Sequence, residues 1–424
     1  MKLKVTKSTL SGEIEVPGSK SHTIRAVAIA TFANGKSKIV SPLISDDTIS
    51  ALEAAKLFQA KVVKKDGVWE VEGAGGEIEP ITEVIDMGNS GTSLRIFTGL
   101  AGTLDSEVKF DGDSSLRSRP MNPILDAISK LGVQVKSNEG RCPLSVNGPI
   151  KPGKTVVDGT SSQFLTSLLF SLPLAKGDSE VDVVNLNEIP YVHITLDWLN
   201  RQGIEMEYAD DLSWFKIKGN QSYKPFERVI PADFSTATSP LIAAAVTKST
   251  IKIKNLDFQD QQGDKATFDY LEKMGAKVER HKDYTVVSCD SELIGCELDL
   301  NATPDALPAM SVVACFAKGE TRLVNVAQAR IKETDRIACM TAELKKLGAD
   351  VEELEDGMII RGGTPLHAGE VESYHDHRIA MALAIAGMGI DGETVIRDAE
   401  AASVTYPNFI NDFATLGANF TKED

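Results

Sequence analysis

A short motif recurs along this chain at intervals of about 70 residues, and a repeat of this kind strongly constrains the fold. In most copies an apolar residue or a glutamine precedes a glycine, and a short alternating segment that predicts a β-strand follows. The copies begin at Gln59-Ala-Lys, Leu131-Gly-Val, Gln202-Gly-Ile, Met274-Gly-Ala, Leu347-Gly-Ala and Leu416-Gly-Ala. Six copies predict six related structural units.

Each repeat combines two kinds of helix with β-structure. An amphipathic helix precedes the motif, as at Ile124–Leu131, and a β-hairpin follows it, as in Val351–Glu353 and Met358–Arg361. The second kind of helix is rich in small residues and apolar on most sides, which indicates burial. These buried helices are predicted to begin near Ser21, Gly91, Ser161, Ser235, Asp305 and His377. Each unit is therefore predicted as strand–helix–strand–helix–strand–strand, an α/β architecture.

The first buried helix follows the stretch Pro17-Gly-Ser-Lys-Ser-His-Thr-Ile-Arg25. Its Pro-Gly pair predicts a turn, and its free backbone N–H groups would lie beside Lys20 and Arg25, which suits an anion. Asn34-Gly35 predicts the end of this helix, with the glycine in a left-handed cap.

Six units are too many for one core, so the repeat predicts two domains of three units each. We expect one domain in residues 18–228 and the other in residues 1–17 together with 229–424, where the N-terminal strand completes the last unit. The chain would then cross between the domains twice, near Pro17 and near Arg228. If the buried helices point their N-termini the same way, their polar groups converge on an active site in the interdomain cleft.

Composition excludes several classes of function. A formal net charge of −16 without any run of Lys and Arg argues against a nucleic-acid surface. The five cysteines are scattered and lack metal-ligand spacing, so they are interpreted as reduced thiols of a cytoplasmic protein. No segment predicts a membrane span or a signal peptide.

The sequence offers no metal site and no cofactor motif. His375 and His377 stand two residues apart with no third ligand nearby, so a structural role is the better interpretation. Neither a P-loop nor a dinucleotide-binding motif is present. We therefore expect no metal and no cofactor.

Polar groups accumulate at the predicted helix starts, where a purely structural repeat would not need them. The cations among them suit a ligand that carries carboxylate and phosphate, because Arg binds both groups bidentately. These cations are Lys20, Arg119, Arg336 and Arg378. The groups that can donate to a second phosphate or to hydroxyls are Ser21, Ser161, Ser162 and Gln163. Asp305 and Glu333 are two carboxylates suited to an acid/base pair.

Taken in order, these motifs resemble those of the 5-enolpyruvylshikimate-3-phosphate synthase family over nearly the whole chain. The matching segments are Pro17-Gly-Ser-Lys-Ser21, Gly88-Asn-Ser-Gly-Thr92, Arg117-Ser-Arg-Pro-Met121, Ser161-Ser-Gln-Phe-Leu165, Lys332-Glu-Thr-Asp-Arg336 and Asp376-His-Arg-Ile-Ala-Met381. The resemblance implies a two-domain inside-out α/β barrel. It also implies a monomeric transferase that is the target of glyphosate. This transferase would belong to the shikimate pathway, which leads to chorismate and the aromatic amino acids.

The implied reaction moves the carboxyvinyl group of phosphoenolpyruvate to the 5-hydroxyl of shikimate 3-phosphate and releases phosphate through a tetrahedral intermediate. By matching position, the resemblance assigns phosphoenolpyruvate to Lys20, Gly91, Arg119, Gln163, Arg336 and Arg378. It assigns shikimate 3-phosphate to Lys20, Ser21, Arg25, Ser161, Ser162, Gln163, Asp305 and Lys332. Lys20 also counts as catalytic, with Asp305 as the first choice of base and Glu333 as the first choice of acid.

Some positions depart from the family pattern. Glu188 stands where the family commonly has a phosphate-binding serine, and a carboxylate there should repel the phosphate. Val404 replaces a lysine that some members direct at phosphoenolpyruvate. Gly91 is small, which in this family accompanies glyphosate binding, whereas Ile96 replaces a proline.

Two other functions stay open at this point. A transferase of the same fold uses UDP-N-acetylglucosamine as acceptor, but that family usually has a cysteine at the position of Ser114, and none lies within residues 111–121. Alternatively, a chain that has lost catalysis would only bind an anionic metabolite, and Glu188 and Val404 are the reason to consider it. Release of phosphate with each acceptor separates these alternatives.

Overall fold

A computed structural model describes residues 1–423, and the strands within that range form six four-stranded sheets. In chain order the strands are β1 (Lys2–Thr6), β2 (Ser11–Glu15), β3 (Asn34–Val40), β4 (Lys61–Lys65), β5 (Val68–Ala74), β6 (Val84–Asp86), β7 (Glu107–Asp111), β8 (Gln134–Asn138), β9 (Arg141–Asn147), β10 (Lys154–Asp158), β11 (Ser179–Val184), β12 (Met206–Tyr208), β13 (Trp214–Ile217), β14 (Glu227–Val229), β15 (Thr250–Lys254), β16 (Lys277–Arg280), β17 (Tyr284–Ser288), β18 (Glu297–Asp299), β19 (Gly319–Val324), β20 (Asp350–Leu354), β21 (Gly357–Gly362), β22 (Glu370–Glu372), β23 (Glu393–Arg397) and β24 (Asn419–Glu423).

All six sheets have the same topology, in which one parallel pair is extended by two antiparallel neighbours. In the sheet β18-β19-β21-β20, for example, Leu298 lies beside Leu323 in the parallel pair, and Val351 lies beside Ile360 in the hairpin. The other orders are β22-β23-β1-β24, β10-β11-β13-β12, β14-β3-β5-β4, β16-β17-β15-β2 and β6-β7-β9-β8. The prediction of six equivalent α/β units is confirmed.

The helices fall into the two predicted kinds. They are α1 (Lys20–Phe32), α2 (Asp46–Leu57), α3 (Gly91–Ala101), α4 (Ser114–Ser118), α5 (Asn122–Lys130), α6 (Ser162–Ser171), α7 (Ile189–Gln202), α8 (Phe234–Val246), α9 (Ala266–Lys273), α10 (Leu307–Phe316), α11 (Arg336–Lys346), α12 (His377–Gly389) and α13 (Phe409–Thr415). Helices α1, α3, α6, α8, α10 and α12 are buried along most of their length, as their small apolar residues predict. None of the helices within residues 1–423 is both long and apolar enough to cross a membrane.

The chain divides into two compact units, each with its own apolar core. Residues 18–230 form a unit that is continuous in sequence, which we call the continuous unit. Residues 1–17 and 231–424 form the second, which we call the split unit. The division therefore falls after Ile230 rather than after Arg228, because β14 pairs in parallel with β3 and belongs to the first unit of the repeat.

The N-terminal segment differs from the prediction of one strand that completes the last unit. It contains two strands, and they complete two different sheets of the split unit. Strand β1 lies between β23 and β24, whereas β2 pairs in parallel with β15. The residues between them follow no alternating pattern, so the sequence does not reveal the break.

Helix α1 also ends differently from the prediction. The helix stops at Phe32, and Ala33 is already extended with φ −72° and ψ 150°. Gly35 lies inside β3 with φ 121°, so the predicted left-handed glycine cap is wrong. The chain passes directly from the helix into a strand because Asn34 and Gly35 pair with the end of β5.

Candidate active site

Hydrogen bonds join the polar residues near the starts of several helices of the continuous unit. At α1, Ser19 caps the helix, with its hydroxyl accepting from the backbone N–H of His22. Lys20 Nζ donates to Asp47 Oδ2 at 3.0 Å. Asp47 belongs to the first turn of α2, and its backbone oxygen accepts from Ser93 Oγ of α3 at 3.4 Å. Lys20 is therefore held between the starts of three helices.

Gly91 is the first residue of α3, and two guanidinium groups lie against it. A Cβ atom placed on Gly91 would be 3.0 Å from Arg119 Nη1 and 3.5 Å from Arg95 Nη1. Arg119 is fixed by bonds from Nη1 to the carbonyl of Asn89 at 3.1 Å, from Nη2 to Asn89 Oδ1 at 2.7 Å, and from Nη2 to Ser115 Oγ at 3.0 Å. The absence of a side chain at Gly91 thus lets two guanidinium groups lie close to the start of α3.

Arg95 connects the start of α3 to the start of α6. Its Nη1 donates to Gln163 Oε1 at 2.6 Å, and its guanidinium carbon lies 4.8 Å from the ring centroid of Phe164. The sequence prediction named Gln163 and Gly91 but not Arg95. Its position four residues after Gly91 places it on the same face of α3, which is the signal that could have identified it.

The serine–glutamate cluster consists of Ser161, Ser162 and Glu188, all buried. Ser161 caps α6, with its hydroxyl oxygen 3.5 Å from the backbone nitrogen of Gln163. One oxygen of Glu188, Oε2, accepts from Ser162 Oγ at 2.8 Å, from Ser162 N at 3.1 Å and from Ser161 Oγ at 3.3 Å. The two predicted substrate-binding serines are therefore bound by a side chain of the same unit.

Arg25 is buried on α1 and its hydrogen-bonding partners are neutral groups. Its Nε donates to Thr195 Oγ1 at 3.0 Å, its Nη1 to the carbonyl of Ser21 at 3.0 Å, and its Nη2 to the carbonyl of Tyr191 at 3.1 Å. Burial lowers the pKa of Arg25 to about 10, so it stays protonated at neutral pH. A buried cation with neutral partners is suited to binding an anionic ligand.

In the split unit, the two predicted catalytic carboxylates accept hydrogen bonds from the same arginine. The arginine–carboxylate cluster consists of Arg336 with Asp305, Glu333 and Asp376. Arg336 donates from Nη1 to Asp305 at 2.8 Å, from Nη2 to Glu333 at 2.6 Å, and from Nε to Asp376 at 2.8 Å. Asp305 lies in a short 3-10 helix, Pro304–Ala306, directly before α10, and Arg336 is the first residue of α11.

Burial alone would lower the pKa of Arg336, but the surrounding carboxylates of Asp376, Glu333 and Asp305 raise it well above its ordinary value. Arg336 is thus a permanent cation that keeps two predicted acid/base groups close together. Asp376 was not predicted as a site residue. It also caps α12, with its carboxylate accepting from the backbone N–H of Arg378 at 2.8 Å.

Arg378 lies beside this cluster. Its Nη2 is 3.6 Å from Asp305 Oδ2, and its Nη1 donates to the carbonyl of Ser235 at 3.0 Å. Burial acts to lower the pKa of Arg378, whereas Asp305 and Asp233 raise it, and the net shift is upward. Lys332 directly precedes Glu333, just after the 3-10 helix Ala327–Ile331. Of the predicted residues of this unit, Asp305, Glu333, Arg336 and Arg378 therefore lie together.

The other sequence predictions concern metals and thiols. Within residues 1–423 no three His, Cys, Asp or Glu side chains are grouped so that they could hold a metal ion. His377 is buried at the start of α12, and His375 is exposed with its Nε2 3.5 Å from Asp398. All five cysteines are free thiols, and burial raises the pKa of Cys142 and of Cys315 to about 12.

Comparison with known families identifies one match over most of the chain. The family model described as EPSP synthase (3-phosphoshikimate 1-carboxyvinyltransferase) matches residues 5–413. A protein of Acetivibrio thermocellus named 3-phosphoshikimate 1-carboxyvinyltransferase is 50% identical over 424 residues, which cover 99% of each chain. A protein of the same name from Methanocaldococcus jannaschii is 39% identical over 429 residues, again covering 99% of each chain.

Solved structures agree with the sequence relatives. The structure of EPSP synthase from Acinetobacter baumannii superimposes with a TM-score of 0.83 at 25% sequence identity, covering 99% of this chain and 100% of the other. The similarity in both sequence and fold therefore extends from end to end.

Proposed function

This chain belongs to the EPSP synthase family, and we propose that the helix starts described above bind its two substrates and carry out its chemistry. The chain is a transferase of the shikimate pathway. It moves the carboxyvinyl group of phosphoenolpyruvate to shikimate 3-phosphate and releases phosphate. The fold is the two-domain α/β fold of that family.

The pair of guanidinium groups beside Gly91 is the observation that carries the assignment of the phosphoenolpyruvate site. Two guanidinium groups, Arg95 and Arg119, lie within 3.5 Å of the position that a Cβ on Gly91 would occupy. Phosphoenolpyruvate is a small molecule with a carboxylate and a phosphate, and forked guanidinium groups bind both. Gln163 and Lys20 supply further donors at neighbouring helix starts. Arg336 and Arg378 of the split unit complete the proposed set.

Shikimate 3-phosphate is assigned to the α1 and α6 starts of the continuous unit. Arg25 is a buried cation with neutral partners, so a phosphoryl group there would gain a charge-assisted hydrogen bond. Ser21, Ser161 and Ser162 supply hydroxyls, and Gln163 lies between the two substrates. Asp305 and Lys332 are proposed to contact the same substrate from the split unit.

The proton transfers are assigned to the arginine–carboxylate cluster. In the addition step, Asp305 takes the proton of the 5-hydroxyl as its oxygen bonds to C2 of phosphoenolpyruvate, while Glu333 gives a proton to C3. In the elimination step C3 returns a proton to Glu333, and the C2–O bond to phosphate breaks as the leaving phosphate takes the proton held by Asp305. The vinyl group is thereby restored. Lys20, Arg119 and Arg336 stabilise the anionic tetrahedral intermediate. We further propose a monomeric, cytoplasmic enzyme that uses no cofactor.

Release of inorganic phosphate from phosphoenolpyruvate tests the function directly. The chain is expected to release phosphate when shikimate 3-phosphate is the acceptor and none when UDP-N-acetylglucosamine replaces it. Release with the nucleotide sugar alone would reassign the substrate. Tight binding of shikimate 3-phosphate without release would identify a catalytically inactive binding protein.

The proposed phosphoenolpyruvate contact has a matched pair of variants. Arg119→Ala is expected to raise KM for phosphoenolpyruvate about 10- to 100-fold, since a charge-assisted hydrogen bond contributes about 1.5–3 kcal/mol. Arg117→Ala is the control, because Arg117 lies two residues away with an exposed side chain paired to Asp111 at 2.5 Å. Equal effects of the two variants would remove Arg119 from the site.

A further inference from the structure

The carboxylate of Glu188 lies at the start of α6 and accepts three hydrogen bonds there. The same oxygen of Glu188 accepts the backbone N–H of Ser162 and the hydroxyls of Ser161 and Ser162. These are the groups that the N-terminus of a helix offers to a phosphate, and α6 does not need a carboxylate there because Ser161 already caps it.

The backbone directs Glu188 to this place at a conformational cost. Glu188 has φ 58° and ψ 40°, a left-handed conformation that is uncommon for residues other than glycine, asparagine and aspartate. It is the N-cap residue of α7, yet its side chain makes no cap hydrogen bond with α7 and bonds to α6 instead. The preceding loop is anchored by a hydrogen bond from Asn187 N to the carbonyl of Gly159 at 3.0 Å.

From this geometry we propose that Glu188 is an internal competitor of the phosphoryl group of shikimate 3-phosphate. Its carboxylate satisfies the serine–glutamate cluster when the substrate is absent, and the phosphoryl group displaces it on binding. The inference rests on the proposed function, which places that phosphoryl group at Ser161 and Ser162.

The carboxylate of Glu188 and a phosphoryl group cannot bind Ser161 and Ser162 at the same time, for reasons of both charge and space. Glu188 is 1% exposed and Ser162 is 1% exposed, so there is little room beside them for a second anion. A phosphoryl dianion within hydrogen-bond distance of the carboxylate would also meet a like charge in a medium of low dielectric constant. Glu188 therefore sets the affinity for the phosphorylated substrate, and its removal strengthens binding.

Two substitutions of Glu188 separate charge from size. Glu188→Ser removes both, and KM for shikimate 3-phosphate is expected to fall about 10-fold while kcat changes less than about two-fold. Glu188→Gln keeps the size and an acceptor oxygen but no charge, so a smaller decrease in KM is expected. Glu205→Ser is the control, because Glu205 is exposed in the same unit, pairs with Lys218 at 2.8 Å, and changes the net charge equally.

Thermal unfolding with inorganic phosphate gives a second test that is independent of turnover. Without ligand, Glu188→Ser is expected to unfold at a lower temperature than the unsubstituted chain, because three donors lose their acceptor. Phosphate is then expected to raise its unfolding temperature more than that of the unsubstituted chain or of Glu205→Ser. Equal shifts in all three proteins would overturn the proposal.

The kinetic measurements also test whether Glu188 competes with the substrate. A folded Glu188→Ser protein whose KM for shikimate 3-phosphate is unchanged or higher overturns the proposal, since Glu188 would then support or not affect binding. If the unsubstituted chain releases no phosphate but inorganic phosphate stabilises Glu188→Ser selectively, the proposed function fails while the anion competition stands.

Discussion

Each unit buries an arginine on a helix, Arg25 on α1 and Arg336 on α11, and the partners of the two side chains carry opposite electrostatic consequences. Arg25 of the continuous unit is 1% exposed, donates to two threonine hydroxyls and two backbone carbonyls, and has its pKa lowered by burial to about 10. Arg336 of the split unit is 0% exposed and is surrounded by three carboxylates, which raise its pKa against the effect of burial.

The difference shows how one repeat can serve two roles. Arg25 keeps its positive charge available, so the continuous unit offers an environment that favours an incoming anion. Arg336 has its charge balanced by Asp305, Glu333 and Asp376, so that cluster instead presents carboxylates that can exchange protons. Substituting Arg25 should therefore change mainly KM, whereas substituting a member of the arginine–carboxylate cluster should lower mainly kcat.

The largest effect is expected from Arg336→Ala, which removes the cation that three carboxylates share. Breaking a buried ion pair on one side costs about 3–5 kcal/mol, so the free energy of unfolding should fall by about that amount. Phosphate release should fall about 1,000-fold, as expected when an electrostatic contact to the transition state is lost. Chemical denaturation and steady-state kinetics measure both effects.

Arg361→Ala is the control for that substitution. Arg361 lies in the same unit, with a side chain that is 44% exposed and 2.8 Å from Glu352. An exposed ion pair of this kind contributes about 1 kcal/mol or less. If Arg336→Ala destabilised the chain no more than Arg361→Ala does, the buried cluster would not stabilise the split unit.

The second-largest effect is expected from Asp305→Asn, which keeps the size of the side chain but removes the proposed base. The value of kcat should fall about 100- to 1,000-fold, within the usual range for a positioned acid or base. KM for shikimate 3-phosphate should change less than kcat, because the asparagine keeps an oxygen for the proposed contact with that substrate and Arg336 retains Glu333 and Asp376. A large change in KM with kcat preserved would assign Asp305 to binding only.

Arg25→Met tests the proposed binding role of the buried arginine whose partners are neutral. KM for shikimate 3-phosphate is expected to rise about 10- to 100-fold, since one charge-assisted contact is lost. The free energy of unfolding should change by less than about 1 kcal/mol, because the loss of neutral hydrogen bonds is offset by the removal of a buried charge. A loss of stability as large as that of Arg336→Ala would remove the distinction between the two arginines.

The smallest effect is expected from Gly91→Ala. The added Cβ would lie 3.0 Å from Arg119 Nη1, and the far end of that flexible side chain can move by a few tenths of an ångström. KM for phosphoenolpyruvate should therefore rise only about three- to ten-fold, with kcat nearly unchanged. Abolished activity would show that the guanidinium of Arg119 cannot adjust.

The periodic features of the fold could be read from the sequence. Six copies of one motif predict six equivalent units, and small apolar helices are predicted to be buried wherever they occur in the repeat. The polar residues at their starts, such as Lys20 and Asp305, stand out because an apolar helix has no structural need for them. These features depend on local pattern and repetition.

Features that depend on distant pairing could not be read in the same way. Asp47 looks like an ordinary acidic residue in the first turn of a helix, and only the structure shows it 3.0 Å from Lys20. Glu188 was recognised as a departure from the family pattern, but its left-handed backbone, and hence its contact with Ser162, follows from no local signal. The separate partners of β1 and β2 likewise lie more than 200 residues away.

The placement of β1 and β2 has a consequence for the order of events on the ribosome. All the strands of the continuous unit's sheets come from residues 18–230, so that unit can assemble as soon as this segment has emerged. Residues 1–17 leave the exit tunnel before that segment, yet β2 must wait for β15, and β1 for β23 and β24. These residues are thus translated before the continuous unit but find their partners after it.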